Sequence, residues 1–371
     1  MEKYNCKSVG IIGSGIQGVC IGLQLIKKGI PVTIFDRHDP LSTEFKAASY
    51  GNAGHFSPYA VLQSNRPDVL FDVPKMLFSS NGPLALKWNY ILKMIPWFGN
   101  YLKNCNKESA LHTAKYMHQI LNLSNDAYQE IFKEINISNL VEKKGIIYIW
   151  TNKNLKSRNF EIKVRNDLGI EQKLLTQKEV LELEPNLNPV FDAGVIYENA
   201  MHARDPHGIL KEIFKLFIKK GGKFMQENIK SLKQDSANET IIKSETDEYR
   251  FEKSVIASGA FSKHLTDQLG ENIPLDTERG YHVHFKKMDH LISRPVIFLD
   301  KGFGMTPMNQ GLRAVGTVEL GGLKNPPSKK RIDYVINCAK ELLPQLEKHN
   351  DEWLGFRPTL PDFLPILGPS L

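Results

Sequence analysis

The sequence predicts an α/β fold, α+β overall, in which two domains are interleaved along the chain. The first observation is a short apolar run, a glycine-rich turn, an amphipathic helix and a second apolar run between residues 8 and 36. The second is a set of later stretches, 145–150, 280–285 and 312–320, which have the composition of strands in a mixed or antiparallel sheet. The third is the length of 371 residues, which is too great for one simple domain.

The N-terminal segment has the spacing of a Rossmann-like, dinucleotide-binding unit. Residues 8–12 form the apolar run, and Gly13, Gly15 and Gly18 follow at GxGxxG spacing. Gly13 permits a sharp turn, Gly15 lets the backbone approach a pyrophosphate, and Gly18 lets the helix pack closely on the strand. The residues between the second and third glycine belong to the same predicted site: Ile16 and Gln17.

The second strand of this unit ends in a carboxylate. Residues 32–35 form the strand, and Asp36 follows it about 20 residues after the glycine turn. A carboxylate at this point can accept both hydroxyls of an adenosine ribose. Asp36 favours NAD or FAD over NADP, although the neighbouring Arg37 weakens that distinction. The motif by itself does not choose between NAD and FAD.

Residues 46–61, KAASYGNAGHFSPYAV, are rich in small residues and turn formers. A nicotinamide-binding Rossmann domain usually continues with further βα units, whereas this chain continues with a segment whose backbone could lie against a flat ligand. An ordinary surface loop would have a similar composition, so the segment alone leaves both interpretations open.

The segment resembles the NAG-x-x-SP loop of FAD-dependent D-amino-acid dehydrogenases, which belong to the D-amino-acid oxidase and glycine oxidase-like superfamily. Further stretches are similar to that family's motifs and occur in the same order: EPNLNPVFDAGVIYENAMHARDPHG, KSVIASGAFS, IPLDTERGYHVHF, LRAVGTVEL and GFRPTLPDFLPILG. None of them is specific alone, but five in order over most of the chain are specific together.

The resemblance implies FAD as the cofactor, bound by a Rossmann-like domain interleaved with a substrate domain. The FAD-binding domain would comprise residues 1–60, 190–268 and 350–371, and the substrate domain residues 61–189 and 269–349. Beyond the glycine turn, Asp36 and Arg37, the residues expected to bind the cofactor are Ser49, Asn52, Ala53, Gly54, Ile229, Ser258 and Gly259.

Three residues are candidates for the substrate site. Arg357 matches the arginine that grips the substrate carboxylate in the family's G-x-RP motif, and a planar guanidinium suits that task because it binds a carboxylate through two hydrogen bonds. Tyr281 either offers its hydroxyl to the substrate or packs as a strand tyrosine. His55 either hydrogen-bonds the flavin or substrate or is solvated on its loop.

The reaction implied is oxidative deamination of a D-amino acid or cyclic secondary amino acid, by hydride transfer from the α-carbon to flavin N5. Electrons would then pass to a quinone or another acceptor. One alternative is a glycine or D-amino-acid oxidase that uses oxygen. Another, of a different class, is a catalytically inactive flavin-binding or incomplete protein. A nicotinamide dehydrogenase is disfavoured by the missing βα units.

Residues 70–104 bear on the electron acceptor because they mix tryptophans such as Trp88 and Trp97 with lysines such as Lys75 and Lys93. This composition suits an interfacial helix on an anionic bilayer, which a quinone-linked dehydrogenase would use. It equally suits an apolar stripe packed on its own domain.

Composition excludes several other classes of protein. The four cysteines have no metal or CxxC spacing, so we predict reduced thiols and no metal. The net charge of +7 is spread along the chain without the arginine–aromatic pattern of nucleic-acid binding. The N-terminus lacks a signal-peptide pattern, and we expect a cytoplasmic protein that is peripheral, at most, on the inner face of the membrane.

The resemblance also implies a segment beyond P-x-x-G: a further strand and a GHG-like turn that opens a final helix. The dipole of that helix would stabilise negative charge on the reduced flavin. The sequence ends at Leu371 before such a motif. We therefore expect an incomplete copy of a longer protein, with a C-terminally incomplete FAD-binding domain, weak FAD binding, a tendency to aggregate and slow turnover.

Overall fold

The structure is a computed structural model that describes residues 6–45, 47–68, 82–152, 155–235 and 239–370. Its helices are α1 (Ile16–Lys27), α2 (Ile91–Asn104), α3 (Lys107–Phe132), α4 (Leu155–Asp167), α5 (Gln177–Leu183), α6 (Pro206–Lys219), α7 (Ser262–Thr266) and α8 (Lys329–Leu342). Its strands are β1 (Val9–Ile12), β2 (Val32–Asp36), β3 (His55–Phe56), β4 (Leu84–Leu86), β5 (Val141–Glu142), β6 (Ile146–Trp150), β7 (Lys173–Thr176), β8 (Ala193–Tyr197), β9 (Met201–Ala203), β10 (Lys223–Gln226), β11 (Ser231–Gln234), β12 (Thr240–Lys243), β13 (Glu248–Phe251), β14 (Lys253–Ile256), β15 (Asp276–Phe285), β16 (Val296–Phe298), β17 (Phe303–Met308), β18 (Gly311–Leu320) and β19 (Asp351–Thr359).

A four-stranded parallel sheet carries the N-terminal motif, in the order β10-β2-β1-β14. All four residues of β1 are buried, which explains its continuous apolar sequence. On one face, Ile11 and Ile34 pack with Leu23 of α1 and Phe217 of α6. The other face is covered by the antiparallel sheet β11-β12-β13, where Leu232 packs with Ile12 and Phe35 in a second apolar cluster. The strand–turn–helix–strand unit predicted from the sequence is confirmed.

Local sequence signals explain where α6 begins and ends. The side chain of Asp205 accepts a hydrogen bond of 2.9 Å from the Gly208 N–H, and Pro206 occupies the first helical position. The helix ends before Gly221, whose φ of 96° few other residues adopt. The capping box of Thr176 and Glu179 at the start of α5 is likewise present.

A large mixed sheet forms the second layer, in the order β19-β15-β18-β17-β16-β6-β8-β7, with β4 added beside β18. The predicted strands at 145–150, 280–285 and 312–320 all lie in it, as β6, β15 and β18. Its first face packs against α8, where Val335 and Leu342 meet Tyr281, Val283 and Ala314 in one buried cluster. Alternate residues of β15 therefore point to the opposite face.

Two stretches expected in the FAD-binding domain pair instead with the large sheet. β8 pairs with β6 and β7, and β19 pairs with β15 over its whole length. Both strands fall on the FAD-binding side of the predicted boundaries at residues 190 and 350, yet they form hydrogen bonds with strands of the predicted substrate domain. The interleaved division into two domains, with these boundaries, stays a prediction.

The tryptophan- and lysine-rich stretch divides between the interior and the surface. Its first part, including Lys75, lies outside the described residues. Trp97 on α2 is buried: it stacks on Tyr101, and its indole N–H donates to the Thr359 carbonyl oxygen at 3.3 Å. Trp88 and Leu92 are exposed. Trp97 therefore packs on its own domain, as the second interpretation of this stretch expects, and membrane contact of the exposed part stays a prediction.

Candidate cofactor and substrate sites

A cavity of about 1110 Å³ lies where the carboxyl ends of the parallel strands approach the large sheet. Ligands of open α/β sheets bind at this end of the strands. Ten residues of the predicted cofactor site line the cavity: Gly13, Gly15, Ile16, Gln17, Asp36, Arg37, Ser49, Ile229, Ser258 and Gly259. The other four predicted cofactor residues do not line it: Gly18, Asn52, Ala53 and Gly54.

The glycine turn opens one side of this cavity. Gly13 has a φ of 112°, and a side chain there would meet the Ala257 carbonyl oxygen. A Cβ on Gly18 would collide with the Gly13 carbonyl oxygen, so Gly18 serves the close packing of α1 on the turn. Gly15 differs, because a Cβ there meets the nearest protein atom, Ser49 Oγ, only at 3.6 Å. The space beside Gly15 is thus available to a ligand.

Asp36 is fixed by its neighbours at the end of β2. Its Oδ2 accepts hydrogen bonds from the backbone N–H and hydroxyl of Ser14, at 2.8 and 2.9 Å, and Oδ1 accepts one from the His38 N–H at 3.1 Å. A carboxylate has about four acceptor positions, so one stays available for a ribose hydroxyl. Beside it, the Arg37 guanidinium lies 4.3 Å from the Phe261 ring centre.

The 51–55 loop lies on the second face of the large sheet and is held there by its backbone. The carbonyl oxygens of Gly51, Asn52 and Ala53 accept hydrogen bonds from three side chains of the sheet, at 2.8, 2.7 and 2.9 Å. In the same order these donors are His282 of β15, Arg313 of β18 and Thr306 of β17. Sequence reasoning missed all three, since their role exists only once three strands are side by side.

The donors of His282 and Arg313 are fixed in different ways, and only that of Arg313 depends on His284. Because Gly51 O accepts, Nδ1 of His282 carries the proton, and burial lowers the pKa of His282 well below its usual value. Arg313 Nε donates to His284 Nε2 at 2.9 Å, and burial followed by the charge of Arg313 lowers the pKa of His284 to about 3. Both imidazoles are therefore neutral near pH 7.

His55 also contacts the sheet. Its Nε2 lies 2.9 Å from Thr306 Oγ1, whose own proton is donated to Ala53 O, so the imidazole is the donor. Burial, then the nearby His202, lowers the pKa of His55 to about 3. The structure places His55 on the loop as a neutral donor to Thr306, away from the lining of the large cavity.

Tyr281 faces the core, not a ligand. Its hydroxyl donates to Glu319 Oε2 at 2.6 Å and accepts from the Ser328 N–H at 3.0 Å, and the side chain is fully buried. Desolvation and the bond to Glu319 raise its pKa to about 12. The substrate role considered for Tyr281 is wrong for this arrangement, because its position in β15 points it toward α8.

Arg357 lies on the second face of the sheet, like the 51–55 loop. Gly280 and Gly355 are directly opposite each other in the β15–β19 ladder. A Cβ on Gly280 would collide with the Arg357 guanidinium, and one on Gly355 would collide with the Trp353 indole. The glycine pair thus makes room for two large side chains beside the loop. Phe356 and Pro358, the residues on either side of Arg357, line the large cavity on the first face.

The backbone carbonyl of Thr317 accepts a hydrogen bond from Arg357. Arg357 Nη1 donates to the Thr317 carbonyl oxygen at 3.2 Å. Thr317 has a φ of 64°, which is rare for a β-branched residue and marks local strain. The ladder between β15 and β18 shifts register beside this point, between Arg279 and Tyr281. The shift turns the carbonyl toward Arg357.

The parallel sheet, the glycine turn and the carboxylate at the end of β2 define a dinucleotide-binding protein of the Rossmann class. Within the described ranges no group of three or more His, Cys, Asp or Glu side chains could hold a metal. In the same ranges no helix is both long and apolar enough to cross a membrane.

Comparison with known proteins gives the family. The model of the family DAO, described as FAD dependent oxidoreductase, matches residues 8–371. A D-amino-acid oxidase of Bradyrhizobium diazoefficiens is 30% identical over 368 residues, which cover 98% of this chain and 87% of that one. A D-amino acid dehydrogenase of Vibrio atlanticus is 27% identical over 369 residues, which cover 96% of this chain and 87% of that one.

Solved structures agree on the fold. Glycine oxidase from Geobacillus kaustophilus superposes with a TM-score of 0.71 at 19% identity, over 98% of this chain and 85% of that one. This chain belongs to the DAO family of FAD dependent oxidoreductases. Its cofactor is FAD, and the nicotinamide alternative is excluded.

Asp36→Ala is expected to weaken FAD binding about ten- to a hundredfold in Kd. The reason is the loss of a charged acceptor worth about 1.5–3 kcal/mol. Titration of apoprotein with FAD, followed by flavin fluorescence, measures the effect. Asp39→Ala is the matched control, because the Asp39 side chain accepts from the Leu41 N–H and does not line the cavity. Equal Kd values for both variants would contradict the assignment.

Tyr281→Phe is expected to lower the free energy of unfolding by about 1–3 kcal/mol, because buried Glu319 loses a hydrogen-bond donor. FAD affinity and KM should stay within about twofold of the wild type. Urea unfolding of the holoprotein and steady-state kinetics measure both quantities. A large rise in KM with unchanged stability would restore a substrate role for Tyr281.

Proposed function

We propose that this protein catalyses the oxidative deamination of a D-amino acid or a cyclic secondary amino acid and passes the electrons to a quinone. The observation that carries the proposal is the position of Arg357. Its guanidinium is half-buried on the face that holds the 51–55 loop, and Thr317 O is its only hydrogen-bond acceptor among the described residues. The names of the Bradyrhizobium and Vibrio relatives support an amino-acid substrate.

Arg357 would bind the substrate carboxylate. An arginine has five N–H donors and keeps its charge at any working pH, so four donors stay free after the bond to Thr317. Partial burial lowers the pKa of Arg357, and an anionic partner would favour its charged form. The two-pronged contact also fixes the direction of the bond from the carboxylate to the α-carbon.

The protein's other contribution is a rigid surrounding. The 51–55 loop cannot shift without breaking the bonds to His282, Arg313 and Thr306. FAD, when bound, supplies the two-electron acceptor that takes the α-hydrogen of the substrate as a hydride. The amino nitrogen gives up a proton to water in the same oxidation. Water then hydrolyses the imino acid, to a keto acid and ammonia if the substrate is a primary amino acid and to an open-chain amino keto acid if it is cyclic.

Arg357→Lys is expected to raise KM for D-alanine about ten- to a hundredfold although the positive charge is kept. The planar fork is lost, and with it about 1.5–3 kcal/mol of charge-assisted hydrogen bonding. Anaerobic flavin reduction and steady-state kinetics give the values. Arg250→Lys is the control, because Arg250 forms exposed ion pairs on β13.

Ethylamine tests the same anchor from the side of the substrate, since it lacks a carboxylate. The wild type should oxidise it far more slowly than D-alanine. Equal rates for the two compounds would refute the anchor role of Arg357. Failure of every amino acid to reduce the bound flavin would favour the catalytically inactive alternative.

The electron acceptor has two candidates. We favour a quinone, while the name of the Bradyrhizobium relative, an oxidase, favours oxygen. In air with D-alanine, reduction of a soluble quinone analogue should exceed hydrogen peroxide production at least tenfold. Dominant peroxide production would make the protein an oxidase.

A quinone in a bilayer could be reached through the exposed face of the segment 88–95. Trp88, Leu92 and Ile95 are 70%, 78% and 58% exposed, and Lys93 lies among them. Apolar side chains with interspersed lysines suit an anionic membrane surface. Leu92→Ser should therefore slow electron transfer to quinone held in anionic vesicles but not to the soluble analogue. An equal effect on both would argue against membrane contact.

A further inference from the structure

Glu278 lies directly opposite Arg357 in the β15–β19 ladder. Residues opposite each other in an antiparallel pair have Cβ atoms about 5 Å apart and share one face of the sheet. Gly280 and His282 lie on that same face, because they follow Glu278 at intervals of two residues. A negative and a positive side chain thus stand side by side next to the glycine pair and the loop that His282 holds.

Both side chains have hydrogen-bonding capacity that the protein does not use. Among the described residues the Glu278 carboxylate accepts no hydrogen bond and forms no ion pair within 4.0 Å, although the side chain is half-buried. Arg357 donates only to Thr317 O in the same set. Burial raises the pKa of Glu278, and the charge of Arg357 opposes that rise.

The gap between the two charges is imposed by the backbone. Opposite charges in a poorly solvated place normally close to a direct contact, because an unpaired charge is costly there. Here the guanidinium is drawn over Gly280 toward the carbonyl of Thr317, a residue in a strained conformation. Strain of this kind is kept where the arrangement serves a function.

We propose that Glu278 binds the α-ammonium group of the substrate while Arg357 binds its carboxylate, so that the site selects zwitterions. This inference rests on the proposed function, since it takes Arg357 as the carboxylate anchor. An α-amino acid carries its two charges on neighbouring positions of one carbon. It therefore pairs with both side chains at once, whereas a plain carboxylate pairs with Arg357 and faces the negative charge of Glu278.

A simpler role for Glu278 makes a different prediction. If Glu278 only neutralises Arg357 in the free protein, every carboxylate competes with it. Removing its charge would then tighten zwitterions and plain carboxylates alike. If Glu278 binds the ammonium group, removing its charge weakens the binding of zwitterions and tightens the binding of plain carboxylates.

The test compares two ligands that differ only in the α-ammonium group, 2-aminoisobutyrate and isobutyrate. Neither requires turnover, since 2-aminoisobutyrate has no α-hydrogen. The Kd of each is measured on the FAD-loaded protein from the perturbation of the flavin absorbance. In Glu278→Gln, the Kd of 2-aminoisobutyrate should rise at least tenfold, and that of isobutyrate should fall.

Glu352→Gln is the matched control, because Glu352 lies on β19 but is exposed and pairs with His349. It should change neither Kd. Three results would overturn the assignment. In Glu278→Gln, both ligands could bind more tightly, or both could bind more weakly by the same factor. In the wild type, neither ligand could bind at all. The proposed function fails separately, if D-amino acids do not reduce the flavin of the wild type.

Discussion

The attachment of the 51–55 loop to the large sheet is the interaction on which the rest of the site depends. Three successive carbonyl oxygens of one loop accept hydrogen bonds from side chains of three neighbouring strands, so the loop is held against the sheet. The attachment needs a proton on Nδ1 of His282, which both the neutral ring and the imidazolium can supply, and an Arg313 side chain oriented by His284. The hydrogen bond from Arg313 Nε to His284 Nε2 provides that orientation.

The two faces of the large sheet have different tasks because strand residues alternate. On the first face, Tyr281, Val283 and Phe285 pack under α8 and form an apolar core. On the second face, the intervening positions of β15 carry Glu278, Gly280, His282 and His284. His282 donates to the loop and His284 accepts from Arg313, whereas Glu278 has no hydrogen-bond partner among the described residues. One strand thus supplies both the core that stabilises the sheet and the side chains of the site.

Arg357 and the large cavity are separated by the width of one strand. Phe356 and Pro358 line the cavity, while Arg357 between them points to the opposite face. Because β19 is the outermost strand of the sheet, the two sides meet at its edge. A dinucleotide in the cavity and a small anion at Arg357 would therefore be neighbours across an edge strand. Hydride transfer needs the reacting atoms about 3–3.5 Å apart, so the redox end of the dinucleotide would have to extend past this edge to the face that holds Arg357.

The sequence by itself determined the nucleotide-binding unit, since its signals are local: the spacing of Gly13, Gly15 and Gly18, an apolar strand on either side, and Asp36 at the end of the second. It also indicated Arg357, through a short motif. Only the tertiary structure decided the contacts of His282, Thr306 and Arg313 with the 51–55 loop. Each acts on a partner far away along the chain, and which side of a strand a residue faces depends on the register with its neighbours. The same register moved Tyr281 into the core and Asp351–Thr359 into the large sheet, because strand pairing is a contact between distant segments that no local pattern specifies.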